Sequence, residues 1–293
     1  MSGFSADWLA LRAPFDDAAR SPGLARRFAS GLPDRPRLVD LGAGTGAGRR
    51  ALGPLLGGRA RWTFVEGDPA LLRRALAQAD PPLARARGEC RNLAADWSQV
   101  LGPGCDGVTA FALIDLATAG WIDRLAALLV RRRLPFYAPL VVDGRVRWTP
   151  GDPSDALVGR LFHSHQRRPK GLGHGPALGP AAPAWTMAAF RRRGARVFAA
   201  PSDWTVPAAE SAMLAAMLEG AAAAAAEQSP ADRPAIAAWA DRRRRQLADG
   251  QLSLVVGHQD LLVLPAMEWA AIPGRSQAAG ALIDGKGTGH DGS

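Results

Sequence analysis

Residues 38–46 of this 293-residue chain are Leu38-Val39-Asp40-Leu41-Gly42-Ala43-Gly44-Thr45-Gly46, and this stretch decides the fold. Its first four residues have the short apolar pattern of a buried strand, with an acid near the end. The alternating glycines that follow let the backbone turn sharply and let a ligand lie against it, because no Cβ intervenes. A helix beginning after Gly46 would direct free N–H groups and the positive end of its dipole at that ligand. The stretch therefore predicts a strand, a ligand-binding turn and a helix.

A second acid, Glu66, follows the next apolar segment at 61–65. A carboxylate at the end of this strand can accept hydrogen bonds from the hydroxyls of a ribose. A dinucleotide site would show Gly-x-Gly-x-x-Gly, whereas Ala47 stands here in the third glycine position. Asp40 would also lie close to the pyrophosphate of a dinucleotide, without a compensating charge. The two acids therefore favour a ligand that carries an ammonium group over a nicotinamide dinucleotide.

Strand and helix patterns alternate through the first half of the chain. The predicted strands are 37–41, 61–65, 88–91, 106–111 and 136–142, and the predicted helices are 69–78 and 121–131. Such alternation is typical of parallel strands joined by crossover helices in one open α/β sheet. One or two short helices are expected before this sheet, at 5–30.

The pattern loosens after residue 142. We expect a turn at Gly144, a short strand at 146–148 and a helix at 154–168. A loop rich in glycine and proline follows at 169–183, and its length indicates a surface lid. Helices at 184–193, 207–227 and 230–249 and strands at 196–199 and 252–264 complete the prediction. We interpret residues 1–284 as one domain, with 148–183 as an insertion and 285–293 as a flexible tail.

The net charge of +9 comes almost entirely from arginine, since only Lys170 and Lys286 are lysines. Arginine runs occur at 131–133, 191–193 and 242–245, each near the end of a predicted helix. Arginine there complements the helix dipole and keeps one helix face solvated. We therefore do not expect a nucleic-acid partner.

The N-terminal residues lack the apolar core of a secretory signal, and no window has eighteen uninterrupted apolar residues. Cys90 and Cys105 are too few for a disulfide framework or a thiolate metal site. We expect a cytoplasmic protein without a resident metal and without a membrane span.

Three segments resemble motifs of class I S-adenosylmethionine-dependent methyltransferases. The family's first motif is similar to Val39-Asp40-Leu41-Gly42-Ala43-Gly44-Thr45-Gly46 of this chain. Its second motif is similar to Phe64-Val65-Glu66-Gly67-Asp68-Pro69-Ala70-Leu71-Leu72. Its fourth motif is similar to Asp106-Gly107-Val108-Thr109-Ala110-Phe111-Ala112-Leu113-Ile114-Asp115-Leu116. The resemblance covers about 37–142, and the later strands at 196–199 and 252–264 fit the last two strands of that fold. It implies a Rossmann-like α/β fold: a seven-stranded, mostly parallel sheet with an antiparallel last strand, a helical N-terminal cover and an insertion after the fifth strand.

The resemblance also implies S-adenosylmethionine as the cofactor. Its methionine and sugar would lie on the glycine turn, Glu66 would bind the ribose hydroxyls, and the adenine amino group would meet Asn92 or, as the second choice, Asp96. Asp115 would face the methyl group. The full predicted cofactor set is Asp40, Gly42, Ala43, Gly44, Gly46, Glu66, Asn92, Asp96 and Asp115.

Methyl transfer requires a positioned nucleophile and, for acceptors that lose a proton, a general base. The candidate residues are Asp115, His165, His163 and Tyr137, with His174 and His258 as further histidines. His163 and His165 lie two residues apart on one predicted helix and therefore point to different faces. We expected the loop at 169–183 to close over the acceptor and to bring one of them to the methyl group.

A small-molecule acceptor is the first hypothesis, because of the large insertion and because no nucleic-acid module is attached. Methyl transfer to RNA or protein through the arginine runs is the second. A cofactor-binding partner protein without transfer activity is a third, and a nicotinamide oxidoreductase comes last.

Overall fold

The computed structural model describes residues 5–78, 86–95 and 97–266. Its helices are α1 (Ala6–Ala19), α2 (Pro22–Ser30), α3 (Ala47–Leu52), α4 (Pro69–Ala77), α5 (Ala119–Arg131), α6 (Asp155–Gln166), α7 (Ala182–Arg191), α8 (Ser211–Gln228) and α9 (Arg233–Ala248). Its strands are β1 (Arg37–Leu41), β2 (Arg61–Glu66), β3 (Ala86–Cys90), β4 (Gly107–Thr109), β5 (Phe136–Thr149), β6 (Arg196–Pro201), β7 (Trp204–Val206) and β8 (Ser253–Leu264).

The strands form one sheet in the order β3-β2-β1-β4-β5-β8-β6. β1 to β5 are parallel, and the last strand in sequence, β8, runs antiparallel between β5 and β6. This topology confirms the predicted Rossmann-like sheet. The sheet has eight strands where seven were expected, and the additional strand is β7. In β7, Trp204 and Val206 are buried on either side of exposed Thr205, and the strand pairs with the first part of β8.

Apolar side chains fill three clusters around the sheet. Trp121 of α5 and Phe190 of α7 cover one face, and Phe28 of α2 belongs to the cluster on the other. The third cluster lies beside the sheet, where Trp239 of α9 and Leu214 of α8 pack near the far end of β5. This third cluster is an additional core, separate from the two that cover the faces of the sheet.

The predicted strand at 136–142, turn at Gly144 and short strand at 146–148 are one continuous strand, β5. The turn prediction was wrong because Gly144 lies in a bulge, where Asp143, Gly144 and Arg145 stand opposite Gly257 of β8. Arg145 bridges Asp143, at 2.6 Å, and Asp203, at 2.7 Å, across this bulge. A Cβ on Gly257 would lie 2.2 Å from the Asp143 carboxylate, so only glycine fits there.

A first bulge in the same strand places Pro139 and Leu140 opposite Asp260 of β8. Leu140 has a left-handed backbone, with φ of 61°, and its N–H donates to Asp260 Oδ1 at 3.0 Å. The other carboxylate oxygen accepts the Tyr137 hydroxyl at 2.9 Å and the N–H of Ser21 at 2.8 Å. The fully buried Asp260 therefore joins β5, β8 and the start of α2.

The loop at 169–183, predicted as a surface lid, is packed against the protein at Leu172 and Leu178. Its Leu172 is buried, and the Leu172 carbonyl accepts the N–H of Thr118 at 2.9 Å. The Leu178 N–H donates to the Ala117 carbonyl at 2.8 Å. Because these bonds satisfy backbone groups ahead of α5, the loop serves as a wall of the core.

The single-domain interpretation of 1–284 extends beyond the described residues, and the predicted tail at 285–293 lies outside them. Across the described part of the chain, no helix is both long and apolar enough to cross a bilayer.

We expect Asp260→Asn to lower the free energy of unfolding by about 2–5 kcal/mol, because an amide in this place leaves at least one of the three buried donors unsatisfied. Urea unfolding followed by circular dichroism measures the loss. The control is Asp241→Asn on α9, an exposed carboxylate that should change stability by no more than about 0.5 kcal/mol. Equal stability of the two variants would contradict the bracing role of Asp260.

Candidate cofactor site and neighbouring cavity

The glycine turn, residues 42–46, requires its three glycines. Gly42, Gly44 and Gly46 all have left-handed backbones, with φ of 66°, 54° and 86°. A Cβ on Gly42 would lie 2.6 Å from a methyl carbon of Leu113, in the segment after β4. The loops after β1 and β4 therefore meet at the point where the strand order reverses, which is where open α/β sheets bind ligands.

Glu66 lies beside this turn, at the end of β2. Its Oε2 accepts the N–H of Gly44 at 2.8 Å, and its Oε1 accepts the N–H groups of Gly67 at 2.7 Å and Asp68 at 3.0 Å. Oε2, which accepts a single bond, keeps a lone pair for a ligand hydroxyl, whereas Oε1 already accepts two bonds. Asp68 caps α4 through the N–H of Ala70 at 2.7 Å, as is usual for an acid at a helix N-terminus.

Asp40 lies beneath the turn and is fully buried. Its Oδ1 accepts the Thr109 hydroxyl at 2.7 Å, whereas Oδ2 is buried with no hydrogen-bond partner. Gly48 of α3 leaves the space for Oδ2, since a Cβ there would lie 2.6 Å away. Burial raises the pKa of Asp40 to about 7, so this carboxyl gains from a nearby cation.

The remaining predicted cofactor residues are placed differently. Ala43 is buried within the turn. Asn92 is exposed after β3, and its side-chain oxygen accepts the N–H of Ala94 at 2.9 Å, which leaves its amide N–H₂ for a ligand. Asp96 lies outside the described residues. Leu9 of α1 lies over the turn, 3.3 Å from a Cβ built on Gly44, so α1 is the expected N-terminal cover.

Beyond the β4 segment lies a cavity of about 210 Å³, which we call the tryptophan cavity after Trp8, Trp148 and Trp204 in its walls. Parts of α1, the β4 segment, β5, α6, β7, α8 and β8 enclose it. Ala112 and Leu140 line it and are two of the three non-glycine residues with left-handed φ in the described structure. Strain of this kind is concentrated at functional sites.

A larger cavity, of about 530 Å³, lies on the outer side of α3. Arg50 lines it and donates to the Thr45 carbonyl at 2.6 Å and to Gln78 at 3.1 Å. This groove includes Thr45 and Gly46 of the glycine turn but otherwise lies along α3 and the start of β2. The crevice at the glycine turn and the tryptophan cavity are the better candidates for a ligand site.

Two predicted residues line the tryptophan cavity. Asp115 lies in a short 3₁₀ turn after β4, and burial raises its pKa to about 6. His163 projects from α6, and its Nε2 is buried without a hydrogen-bond partner. Burial also lowers the pKa of His163, so its neutral form is favoured.

The other two predicted catalytic residues lie elsewhere. His165 points to α8, where its Nε2 is 3.1 Å from Glu227, because residues two apart on a helix face different ways. Tyr137 is fully buried, stacked on Phe28 and bonded to Asp260, with its pKa raised by burial. The structure thus assigns His165 to an ion pair and Tyr137 to the core, and both predictions of a catalytic role lose their basis.

Sequence reasoning did not place His258, and it missed the three tryptophans. His258 is fully buried at the cavity wall, with its ring centroid 4.8 Å from that of Trp204. The tryptophans come from α1, β5 and β7, so no sequence spacing links them. The only feature of the sequence that could have indicated a tryptophan-lined cavity is its composition, with nine tryptophans but one tyrosine.

Three arginines of the run at 242–245 are engaged in ion pairs. Arg243 is fully buried and pairs with Asp155 at 2.5 Å, Arg242 pairs with Asp152 at 2.6 Å, and Arg244 pairs with Glu219 at 2.7 Å. Within the described residues there is also no cluster of three metal-ligating side chains.

The chain matches no family model. It is 33% identical over 153 residues to the biotin biosynthesis bifunctional protein BioCD of Bordetella avium (strain 197N), a match that covers 44% of this chain and 32% of that protein. The chain thus aligns with about a third of that relative's length.

Among solved structures, a protein from Anaeromyxobacter dehalogenans provisionally classed as a type II methyltransferase has a TM-score of 0.50 and 20% identity, over 85% of this chain and 98% of that one. Geranyl diphosphate C-methyltransferase from Streptomyces coelicolor A3(2) has a TM-score of 0.43 and 12% identity, over 84% of this chain and 77% of that one. The first likeness, at 20% identity, bears on the fold alone. The chain has the fold of the class I S-adenosylmethionine-dependent methyltransferases, as the motifs indicated.

We expect Glu66→Ala to weaken the binding of S-adenosylhomocysteine by about 1.5–3 kcal/mol, tenfold or more, because a charge-assisted acceptor is lost. Isothermal titration calorimetry measures this. Glu219→Ala on α8, an exposed glutamate far from the turn, is the matched control and should bind as the wild type does. Unchanged affinity in Glu66→Ala would remove Glu66 from the site.

We further expect Gly44→Val to abolish this binding while the protein stays folded, since the left-handed backbone and Leu9 leave no room for the side chain. Circular dichroism shows whether the sheet is retained. Full binding by Gly44→Val would place the cofactor away from the turn.

Proposed function

We propose that this protein transfers a methyl group from S-adenosylmethionine to a small molecule held in the tryptophan cavity. One observation carries the proposal: the segment after β4 joins the two sites. Leu113 lies against Gly42 of the glycine turn, and Asp115, two residues further along, lines the cavity. A cofactor on the turn and an acceptor in the cavity would therefore meet across this segment.

The residues around the turn fit this cofactor. The glycines allow its chain to lie on the backbone, and Glu66 offers carboxylate oxygens to its ribose. Asp40 adds a buried carboxyl whose Oδ2 lacks a partner, and an ammonium or sulfonium nearby favours its charged form. A pyrophosphate beside two acids would be repelled, which argues against a dinucleotide.

Bound S-adenosylmethionine supplies a methyl group on positively charged sulfur, which an in-line nucleophile can displace. The protein then has to hold the nucleophile in line and exclude water. Tryptophan walls exclude water from the cavity, and α1 covers the turn. Asp115, as a carboxylate, can accept the proton of a hydroxyl or amine acceptor, and its pKa near 6 suits a base at neutral pH.

The size of the cavity supports a small molecule over RNA or a protein. The described arginine pairs on α9 hold its helix to α6 and α8, so they are not free to bind phosphates. The likeness to a biotin biosynthesis protein covers too little of that relative to name the acceptor.

The proposed function is tested by calorimetric titration with S-adenosylhomocysteine and, separately, with NAD. We expect micromolar or tighter binding of the first and none of the second. Incubation with radiolabelled S-adenosylmethionine and a metabolite extract should then yield a small labelled product. Preferential NAD binding would overturn the cofactor assignment, and cofactor binding without any labelled product would favour a partner protein without transfer activity.

If Asp115 is the base, kcat/KM should rise with pH through about 6, because the raised folded-state pKa keeps this carboxyl protonated, and inactive, at lower pH. Asp115→Asn should lose this acid limb and most of the activity. Asp123→Asn on α5, a partly exposed aspartate that pairs with Arg192 and Arg193, should keep both. An acid limb that persists in Asp115→Asn would belong to another group.

A further inference from the structure

The charged groups of the tryptophan cavity are almost all neutralised by partners inside the protein. Arg12 pairs with Asp16 at 2.9 Å, Arg145 with Asp143 and Asp203, and Asp155 with Arg243. Of the cavity's charged side chains, Asp115 has no ion pair among the described residues. The paired groups offer no free counter-charge, so an anionic ligand would be left unpaired in the cavity, which is costly, and Asp115 is the one described lining group that could pair with a cation.

His258 is held in one orientation and one tautomer. Its Nδ1 is 3.0 Å from the Val256 carbonyl, which can only accept, so Nδ1 carries the proton. Burial and the nearby Arg12 lower the pKa of His258 to about 4, so the ring is neutral at pH 7. Nε2 is then an acceptor, and no hydrogen bond of the described residues involves it.

Other groups facing the cavity complement this acceptor. Trp8 has a buried indole N–H without a partner, and the His163 Nε2 is likewise unpartnered. Buried polar groups normally have hydrogen-bond partners, so both groups would gain from a partner supplied by water or by a molecule in the cavity. A ligand with a hydroxyl or amine group can donate to one of these sites and accept from another.

Apart from Gln166, the remaining side chains of the wall are apolar, and the volume sets the ligand's size. Trp148, Phe162 and Met217 line the cavity together with aliphatic side chains. An apolar cavity of about 150 Å³ in another protein holds benzene. At about 210 Å³, this cavity has room for one ring with a few additional atoms.

We propose that the tryptophan cavity binds a neutral, single-ring-sized molecule whose O–H or N–H group donates to Nε2 of His258. The proposal deepens the proposed function, since this molecule would be the methyl acceptor, but its test does not require transfer. His258 would orient the acceptor group, while Asp115 lies at the side toward the glycine turn.

The test uses phenol and toluene as probes, which match in size and differ in the hydroxyl group. Calorimetric titrations of the full-length protein without cofactor measure both affinities. We expect phenol to bind about three- to tenfold more tightly than toluene, the worth of one net hydrogen bond. In the ¹⁵N spectrum of the wild-type imidazoles, the Nε2 signal of His258 should shift when phenol is added and stay in place with toluene.

His258→Asn is the decisive variant, because its amide nitrogen can still donate to Val256 while the acceptor at Nε2 is lost. It should bind toluene as the wild type does and lose the preference for phenol. His258→Gln, whose amide oxygen reaches further, should retain part of that preference. His174→Asn, in the exposed part of the loop, is the matched control and should retain all of it.

Equal binding of phenol and toluene to the wild type, or a phenol preference that survives in His258→Asn, would overturn the proposal. If His258→Asn does not fold, a stationary Nε2 signal with phenol bound to the wild type overturns it equally. A separate titration with S-adenosylhomocysteine reports on the cofactor site, so failure of the proposed function appears there and failure of this inference appears with phenol.

Discussion

The buried carboxylate of Asp260 is the interaction on which the arrangement of the site depends. Two residues interrupt the regular pairing of β5: Pro139 lacks an N–H, and Leu140 has a left-handed backbone. The strand can continue past them only if the free N–H of Leu140 has a hydrogen-bond partner. Asp260 accepts this N–H and also binds Tyr137 and Ser21, so one side chain holds the bulge, the core strand and the start of α2 together. The bulge bends β5 beyond the sheet.

The bent continuation of β5 produces the tryptophan cavity. Paired with β8, which also pairs with β7, it forms a three-stranded arm against which α6, α8 and α9 pack. The arm presents Trp148 from β5 and His258 from β8 to the same space that Trp8 of α1 closes. The cofactor crevice belongs to the sheet itself, whereas the cavity belongs to this arm, so ligand chemistry can vary without disturbing the glycine turn.

The sequence predicted the sheet and the turn well, because their signals are local. Alternating glycines, an acid at each of two strand ends and short apolar segments report on the backbone within a few residues. The same reasoning failed for β5, where Gly144 indicated a turn although its bulge depends on Gly257, over a hundred residues away. For the loop at 169–183, the composition is typical of a lid, whereas the hydrogen bonds of Leu172 and Leu178 to the segment before α5 depend on distant residues.

By itself the sequence determined the class of fold, the glycine turn and the acid Glu66 beside it, since each is set by neighbouring residues. Only the tertiary structure decided which titratable side chains share a cavity. His163 faces it and His165 does not, Tyr137 is used by the core, and His258 joins three tryptophans from distant segments. The physical reason is that burial, pairing and tautomer depend on contacts between elements far apart in the chain, which no local pattern records.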